Sequence, residues 1–455
     1  MGFVLLKSSF TIEEIREMYM KAYNDNKLEI DARINDGIEK YRKGYCRIRV
    51  IDKNGKPLKK QKVRITQTKH DFKYGANIFM LDQFESELDN AEYRRFFKEY
   101  FNLATVPFYW DTLEPDEGKP RYSVESPKTY RRPAPDLCMN YCEENNISAK
   151  LHCLIFENFV PEWFKELSIE EKSIKLEERI RQIAERYSGR MYEFEVVNEL
   201  LCIKPGSKLG YNKDIPKNAF AIARKYLPNE TLVINEAQPL ITAELRGYYH
   251  HYFLMIENAI LKGATIDKIG FQNHCFVGGT SKNNEEYDKS LKGCIKYNDP
   301  MLYFRALDIF TDFGLPLEFT EVTIPTFGDT EEYEELQADM LKLWYSVWFS
   351  HPLVETIVYW NTVDGFCYAP NENWDENRCR GGLFHHDLTP KKSALMLKKL
   401  FDEIWHTDME LYTDENGYAD FRGFYGEYNV EIDGKDKKFD LHKNVASANV
   451  FDITI

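Results

Sequence analysis

The chain has 455 residues, of which 43% are hydrophobic and 29% are charged, a composition typical of a folded globular protein and not of a disordered one. Its 74 acidic residues outnumber the 60 basic ones, so a broad phosphate-binding surface for nucleic acid is not expected. No stretch approaches the roughly 18 consecutive apolar residues of a membrane-spanning helix, so we expect no membrane partner either.

The first residues and the cysteines bear on where the protein is located. The segment MGFVLLKSSF has a short apolar run and no small-residue cleavage site, so it does not resemble a secretory signal. The nine cysteines are scattered and odd in number, which indicates reduced thiols rather than a disulfide framework. These features predict a cytoplasmic protein, although a secreted chain whose signal had been removed would look the same.

A helix and a pair of strands are predicted to open the chain. Residues 11–42 are polar, with apolar residues at helical spacing, and predict a single leading helix. The stretch 46–67 then alternates with period two around Asn54-Gly55, a pair that suits a type I′ turn. This pattern predicts a β-hairpin.

The end of the chain repeats the strand pattern of its beginning. Asn416-Gly417 precedes a strand-like stretch at 418–432, and a further pair of strand-like segments ends at Ile455. We expect the two chain ends to combine into a small β-sandwich beside the central part of the chain. The predicted domains are an N-terminal helix with strands (1–71), a central barrel (72–405) and C-terminal strands that complete the sandwich (406–455).

The central part of the chain alternates strand and helix eight times. This alternation is typical of βα units, and eight such units close a (β/α)8 TIM barrel of the α/β class. The predicted strands are 72–79, 103–110, 149–156, 192–199, 231–236, 268–275, 316–322 and 355–361.

Polar residues gather at the ends of the later barrel strands. Most of the strands read as apolar until their last two or three positions. On the fourth to eighth strands the terminal polar residues are Asn198 with Glu199, Asn235 with Glu236, Gln272 with His274, Glu321, and Trp360 with Asn361. The C-terminal ends of the strands form the active-site face of such barrels, so these side chains are predicted to converge at one mouth.

Two carboxyl groups in this set suggest a chemistry. Hydrolysis of a glycosidic bond uses one carboxylic acid to protonate the leaving oxygen and a second carboxylate at the anomeric carbon. Glu199 and Glu321 are predicted to face each other across the mouth. Asn198 is placed to donate to a sugar hydroxyl, and His274 to keep Glu321 ionised. Glu236 and Glu318 are interpreted as surface residues or as supports for the site.

The motifs VVNE, INE, GFQNH, FTE, VYWNTVDG and GGLFHHDLTPKKSA, in this order, resemble glycoside hydrolase family 10, the xylanase family, over about residues 72–400. The resemblance implies a retaining mechanism with Glu199 as acid/base and Glu321 as nucleophile. It also implies contacts to the cleaved sugar from His152 and Asn198, a nucleophile partner in His274 and an aromatic floor in Trp360. Further candidates for substrate binding are Gln272, Asn235, Tyr109, Glu157 and Tyr368.

The chain departs from the family pattern where the non-reducing-side sugars would bind. Thr105, Val106 and Tyr109 stand where the family carries a Glu-Asn pair and a Lys after the second strand. Phe156, Glu157 and Phe159 replace a Trp, a His and a Gln after the third strand, and Tyr368 replaces a Trp of the last loop. Discrimination among hydroxyls depends on paired polar groups, so we expect altered substrate selection.

The leading hypothesis is a β-glycosidase acting on β-1,4-xylan or xylo-oligosaccharides, without a cofactor. The chain has no Gly-rich phosphate loop, and its His and Cys residues do not cluster with metal-ligand spacing. One alternative is action on another β-linked glycan or glycoside. Another is an inactive carbohydrate-binding barrel, which retention of both carboxylates disfavours. The loop 363–382 is expected to close one end of the cleft. The sequence does not indicate the oligomeric state, endo or exo action, or whether the sandwich binds glycan.

Overall fold

The computed structural model describes residues 6–210, 212–237, 240–443 and 446–455. The first five residues, which include most of the apolar run considered above, lie outside the described residues. Within the described part of the chain, no helix combines the length and the apolarity that crossing a bilayer requires.

Helices and strands alternate along most of the chain. The α-helices are α1 (Ile12–Asp25), α2 (Lys27–Arg42), α3 (Glu87–Tyr100), α4 (Trp110–Leu113), α5 (Pro135–Glu144), α6 (Glu162–Lys165), α7 (Ile169–Tyr187), α8 (Ile215–Tyr226), α9 (Leu240–Arg246), α10 (His251–Leu261), α11 (Asn284–Cys294), α12 (Pro300–Phe310), α13 (Glu331–Ser350) and α14 (Lys392–Lys399). The strands are β1 (Lys43–Ile51), β2 (Lys62–His70), β3 (Lys73–Asn77), β4 (Leu103–Pro107), β5 (Ser148–His152), β6 (Ile155–Phe156), β7 (Glu193–Asn198), β8 (Thr231–Glu236), β9 (Lys268–His274), β10 (Leu317–Thr323), β11 (Val354–Tyr359), β12 (Asp408–Tyr412), β13 (Tyr418–Phe424), β14 (Gly426–Ile432), β15 (Lys435–Leu441) and β16 (Val450–Thr454).

Strands β3 to β11 form one closed parallel barrel. Their order in the sheet is β5-β4-β3-β11-β10-β9-β8-β7-β6, and pairing of β5 with β7 closes the ring. β5 and β6 follow one another along the chain, and both pair with β7, so together they occupy one strand position. The described residues therefore form a barrel with eight strand positions. The predicted (β/α)8 barrel is confirmed, and each predicted strand coincides with an observed one.

The barrel interior contains charged residues that the strand pattern did not lead us to expect. Lys150 Nζ lies 3.3 Å from a Glu193 carboxylate oxygen and 3.6 Å from one of Glu195, and it also contacts Glu318. Lys268 Nζ adds a contact of 2.7 Å to Glu193. All these side chains are almost fully buried. Surface interpretations of Glu318 and of Glu236, which is 1% exposed, were therefore wrong.

The predicted leading helix is broken in two. Helix α1 ends at Asp25 and α2 begins at Lys27, with Asn26 between them at φ −122° and ψ 20°, outside the helical region. The Asn26 side chain donates to the Ala22 carbonyl, an alternative to helix continuation that short polar side chains offer. The break lets α2 pack against α13 of the barrel.

The two chain ends form a β-sandwich, as predicted. One sheet has the order β13-β1-β16 and the other the order β12-β2-β14-β15. Their inward faces share a separate apolar core, which includes Ile48, Ile65 and Val430. Arg42, just before β1, donates to the carbonyls of His351 and Val354 at the beginning of β11, so the sandwich joins the barrel at the end opposite the active-site face. The exact domain boundaries stay a prediction.

The predicted hairpin over residues 46–67 is wrong. A tight turn does form around Asn54-Gly55, and Ile51 and Pro57 make an isolated bridge beyond it. The chain then crosses between the sheets, so β1 pairs with β13 and β16, whereas β2 pairs with β12 and β14. The turn signal is local, and it does not specify which sheet each strand joins.

Candidate active site

A cleft of about 440 Å³ lies at the C-terminal ends of the barrel strands. Most of the predicted site residues line it, namely Glu199, Glu321, His152, Asn198, Gln272, His274, Trp360, Tyr109 and Tyr368. Asn235 lies beneath the cleft floor, fully buried. Glu157 is not among the lining residues, because its carboxylate accepts hydrogen bonds from the backbone N–H groups of Lys208 and Leu209 and so holds a loop.

Irregularities of the backbone determine the direction in which the side chains of Glu199 and Glu321 point. The pairing of β10 with β9 shifts register between Phe319 and Glu321, and that of β7 with β8 shifts between Glu195 and Val197. Such bulges redirect the side chains that follow them. Glu199 itself adopts φ 53° and ψ 42°, a left-handed conformation that costs a non-glycine residue roughly 1–2 kcal/mol. The fold holds this strain at the residue predicted to do acid/base chemistry.

Glu199 is placed to remain protonated. Burial is the main cause that raises the pKa of its carboxyl group, and the nearby Glu195 raises it further. Gln272 Nε2, which donates to Glu199 Oε1 at 2.9 Å, acts in the opposite direction. A carboxyl group with a raised pKa can donate a proton near neutral pH, as a general acid must.

Glu321 is fully enclosed and depends on its neighbours for ionisation. Burial raises its pKa well above the ordinary value, and the Glu195 and Glu199 carboxylates add to this. A positive charge on His152 lowers it. Two further groups lie beside the carboxylate: His274 Nε2 at 3.2 Å and Asn235 Nδ2 at 3.4 Å. These contacts stabilise the anionic form.

His274 stands between Glu321 and a hydroxyl group. Its Nδ1 lies 2.9 Å from Thr323 Oγ1, and burial lowers its pKa to about 4, so the ring is neutral at neutral pH. A neutral imidazole carries a single N–H. If the Thr323 hydroxyl donates to Nδ1, the proton resides on Nε2 and points at the Glu321 carboxylate. Thr323 was not predicted as a site residue, since nothing in its strand pattern distinguished it.

Hydrogen bonds among three side-chain amides connect the two carboxyl groups. Gln272 Nε2 donates both to Glu199 Oε1 and, at 3.2 Å, to Asn198 Oδ1. Asn235 Nδ2 donates to Asn198 Oδ1 at 3.0 Å and reaches Glu321 Oε1. These bonds fix the orientation of the Asn198 amide and leave its Nδ2 without a partner among the described residues. That buried N–H is available to a ligand hydroxyl.

His152 connects the cleft to the ion cluster in the barrel. Its Nδ1 lies 3.0 Å from Glu195 Oε1 and its Nε2 lies 3.1 Å from the Tyr109 hydroxyl. The Glu195 carboxylate raises the pKa of His152 against the opposing effect of burial. The ring edge also meets Trp360, with centroids 5.4 Å apart. This histidine is therefore held in one orientation from three sides.

His152, Cys153 and Glu195 are close enough to one another to be considered as metal ligands. Burial raises the pKa of the Cys153 thiol well above its usual value, so the thiolate that a metal prefers is disfavoured. His152 Nδ1 and Glu195 already bind one another. The donor set fits a hydrogen-bonded support for the cleft better than a metal centre.

Two arginines that line the cleft, Arg131 and Arg132, were not predicted from the sequence because they lie on a loop. Arg131 Nη2 donates to Asn361 Oδ1 at 2.7 Å, and Asn361 in turn donates to the Glu376 carboxylate. Arg132 lies beside Tyr109. Trp374 and Tyr368 reach the cleft from the loop 363–382, the segment expected to close one end of it. No strand-end signal marks the arginines, which lie between α4 and α5.

Comparison with known proteins supports one family. The sequence model of glycosyl hydrolase family 10 matches residues 67–399. Endo-1,4-beta-xylanase 1 of Arabidopsis thaliana is 27% identical over 81% of this chain and 34% of its own length. Anti-sigma-I factor RsgI6 of Acetivibrio thermocellus is 27% identical over 91% of this chain and 49% of its own length. The chain thus spans less than half of these curated relatives.

Among solved structures, the native xylanase 10B of Thermotoga maritima superposes with a TM-score of 0.56. It is 21% identical and covers 73% of this chain, while the match covers 96% of that enzyme, so the likeness concerns the fold. The family match spans most of the chain and includes the whole barrel, from β3 to α14. The resemblance noted in the sequence is confirmed, and the chain belongs to glycosyl hydrolase family 10.

Proposed function

We propose that this protein hydrolyses β-glycosidic bonds of β-1,4-xylan or xylo-oligosaccharides with retention of anomeric configuration. The observation that carries the proposal is a pair of carboxyl groups in one cleft, the half-buried Glu199 and the buried Glu321, joined by hydrogen bonds through three side-chain amides. Several relatives are named endo-1,4-beta-xylanases, and xylanase 10B of Thermotoga petrophila has been solved in complex with xylobiose.

In the proposed first step, Glu199 gives its proton to the leaving glycosidic oxygen while a Glu321 oxygen attacks the anomeric carbon. The bond to the leaving oxygen breaks as a glycosyl ester forms on Glu321. In the second step, Glu199 takes a proton from water as that water attacks the same carbon and releases Glu321. The free Nδ2 of Asn198 is suited to donate to the neighbouring sugar hydroxyl in both steps.

The pH dependence of this reaction follows from the burial of both carboxyl groups. Turnover requires Glu321 ionised and Glu199 protonated. Burial raises the pKa of both carboxyl groups, and the Glu199 charge raises that of Glu321 further, so the two titrate as a pair that must carry a single proton to be active. Activity is therefore lost at low pH, where the pair takes up its second proton, and lost again at high pH, where it loses its last one. We expect a bell-shaped profile of kcat/KM with both limbs above the range of an ordinary glutamic acid. Full activity at a pH where free glutamic acid is half protonated would contradict this.

A product analysis tests the proposal directly. The wild-type protein is incubated with xylan, with xylo-oligosaccharides and with a panel of aryl β-glycosides, and the first-formed anomer is observed by proton NMR. Release of the β-anomer from a xyloside supports the proposal. Release of the α-anomer contradicts retention, and cleavage of a different glycoside alone contradicts the substrate. Binding without any cleavage would favour a carbohydrate-binding barrel.

Replacement of Glu199 by alanine is expected to lower kcat/KM by an amount that depends on the leaving group of the substrate. Without the acid, glycosides with poor leaving groups should lose roughly 10²–10⁴-fold in kcat/KM, whereas activated aryl glycosides should retain most of theirs. The matched control is Glu170→Ala, which removes an exposed carboxylate from α7. Equal losses for good and poor leaving groups would remove Glu199 from the acid role.

A further inference from the structure

Arg132, a buried cation beside Tyr109 in the cleft, has no counter-ion within ion-pair distance among the residues that the structure describes. Arg132 is 8% exposed and lines the cleft between Tyr109 and Phe159. Its guanidinium carbon lies 3.8 Å from the ring centroid of Tyr109 and 5.6 Å from that of Phe159. The faces of the aromatic rings exclude water from the guanidinium and stabilise its charge, but a ring face provides no acceptor oxygen, and the Tyr109 hydroxyl lies beside His152 instead.

The hydrogen bonds of Arg132 are incomplete. Nη1 donates to the Arg131 carbonyl at 2.9 Å, and this is the single protein acceptor that the guanidinium has among the described residues. Nε is buried without a partner. Asp111 influences the charge only from beyond ion-pair distance. A buried guanidinium without a counter-ion is unfavourable unless something else supplies the missing acceptors.

Another buried arginine of the barrel, Arg179, has a more complete set of acceptors. Arg179 lies on the Trp110 ring, much as Arg132 lies on Tyr109, but it donates to the carbonyls of Phe108, Cys153 and Leu154. The fold therefore surrounds an arginine with carbonyl oxygens where the role is structural. At Arg132 the acceptors are missing on the side that faces the cleft.

We propose that Arg132 binds the carboxylate of a uronosyl unit in the substrate, an inference that rests on the proposed glycosidase function. The planar guanidinium offers paired N–H donors that match the two oxygens of a carboxylate. The cleft is also lined by Glu199, Glu321 and Glu376, which repel an anion that does not lie against a cation. A negatively charged sugar is thus directed to the Arg132 side.

The test compares ligands that differ by one carboxylate. Methyl β-glucuronide differs from methyl β-xyloside only by the carboxylate on C5, and a xylo-oligosaccharide with a glucuronosyl branch differs from its unbranched parent by the acidic branch. Binding to the Glu321→Gln variant, which should not turn over, is measured by calorimetry with and without Arg132→Gln. We expect Arg132→Gln to weaken binding of the acidic ligand by roughly 100-fold and of the neutral one by less than about threefold. A difference confined to the oligosaccharide pair would show that Arg132 binds the carboxylate of a branch. A difference in the methyl glycoside pair would show that it binds the carboxylate of a single bound sugar.

Arg95→Gln is the matched control, because it removes an arginine from an exposed ion pair on α3. Equal losses for acidic and neutral ligands would assign Arg132 to hydroxyl binding and overturn the proposal, as would equal affinity of both ligands for the protein with Arg132 intact. Should Arg132→Gln unfold, Arg132→Lys retains the charge and is expected to lose most of the preference for the carboxylate. Failure of the wild type to cleave any xyloside would instead contradict the proposed function, while the glucuronide comparison would still decide the role of Arg132.

Discussion

Replacing Glu321 with alanine is expected to lower kcat on the order of 10⁴-fold or more, because the proposed covalent intermediate forms on this carboxylate. His274 and Asn235 would then face an empty space in place of the carboxylate. A small anion such as azide fits this space and attacks the anomeric carbon directly. Activity on an activated aryl glycoside should therefore return with azide, giving a product of inverted configuration. Product NMR and steady-state kinetics measure both effects.

Glu321→Gln provides the control for this experiment. The amide keeps the volume of the side chain and leaves no room for azide, so rescue is not expected. Circular dichroism of both variants verifies that the fold is unchanged. Near-native turnover by Glu321→Ala, or equal rescue of both variants, would remove Glu321 from the nucleophile role.

Replacing Lys150 with methionine is expected to lower the free energy of unfolding by about 3–5 kcal/mol, the cost of breaking a buried ion pair on one side only. Lys150 lies among Glu193, Glu195 and Glu318, and none of these carboxylates is accessible to water. Methionine fills a similar volume but leaves the three carboxylates with too little positive charge, because Lys268 contacts only Glu193 and Glu318. Their protonation in acid relieves the repulsion, so the loss should be largest at high pH and smaller at low pH. Urea unfolding at several pH values measures it.

The double variant Lys150→Met with Glu318→Gln separates charge from packing. Removing one carboxylate together with its counter-ion should recover part of the lost stability, since the two positions interact directly. Wild-type stability of Lys150→Met across the pH range would show that the cluster does not depend on this lysine.

The features that the sequence predicted were those with a repeated pattern. Eight strands with polar ends predicted the barrel, and the end positions predicted Glu199 and Glu321. The charged residues in the middle of the strands, such as Lys150 and Glu195, had no local signal of burial, because their partners lie on strands that are far away along the chain although close in the barrel. Arg132 was missed since a loop residue has no fixed relation to the barrel mouth. Long-range contacts of this kind follow from the closed sheet and not from periodicity.

The division of the sandwich between the chain ends also constrains how the protein is made. Every partner strand of β1 and β2 lies more than 340 residues further along the chain. At roughly 5–20 residues per second, a ribosome needs roughly 20–70 seconds to supply those partners. During that time β1 and β2 present unpaired edges, which are prone to aggregate. The barrel can close before the sandwich exists, because the sandwich needs β16, which is synthesised after every strand of the barrel.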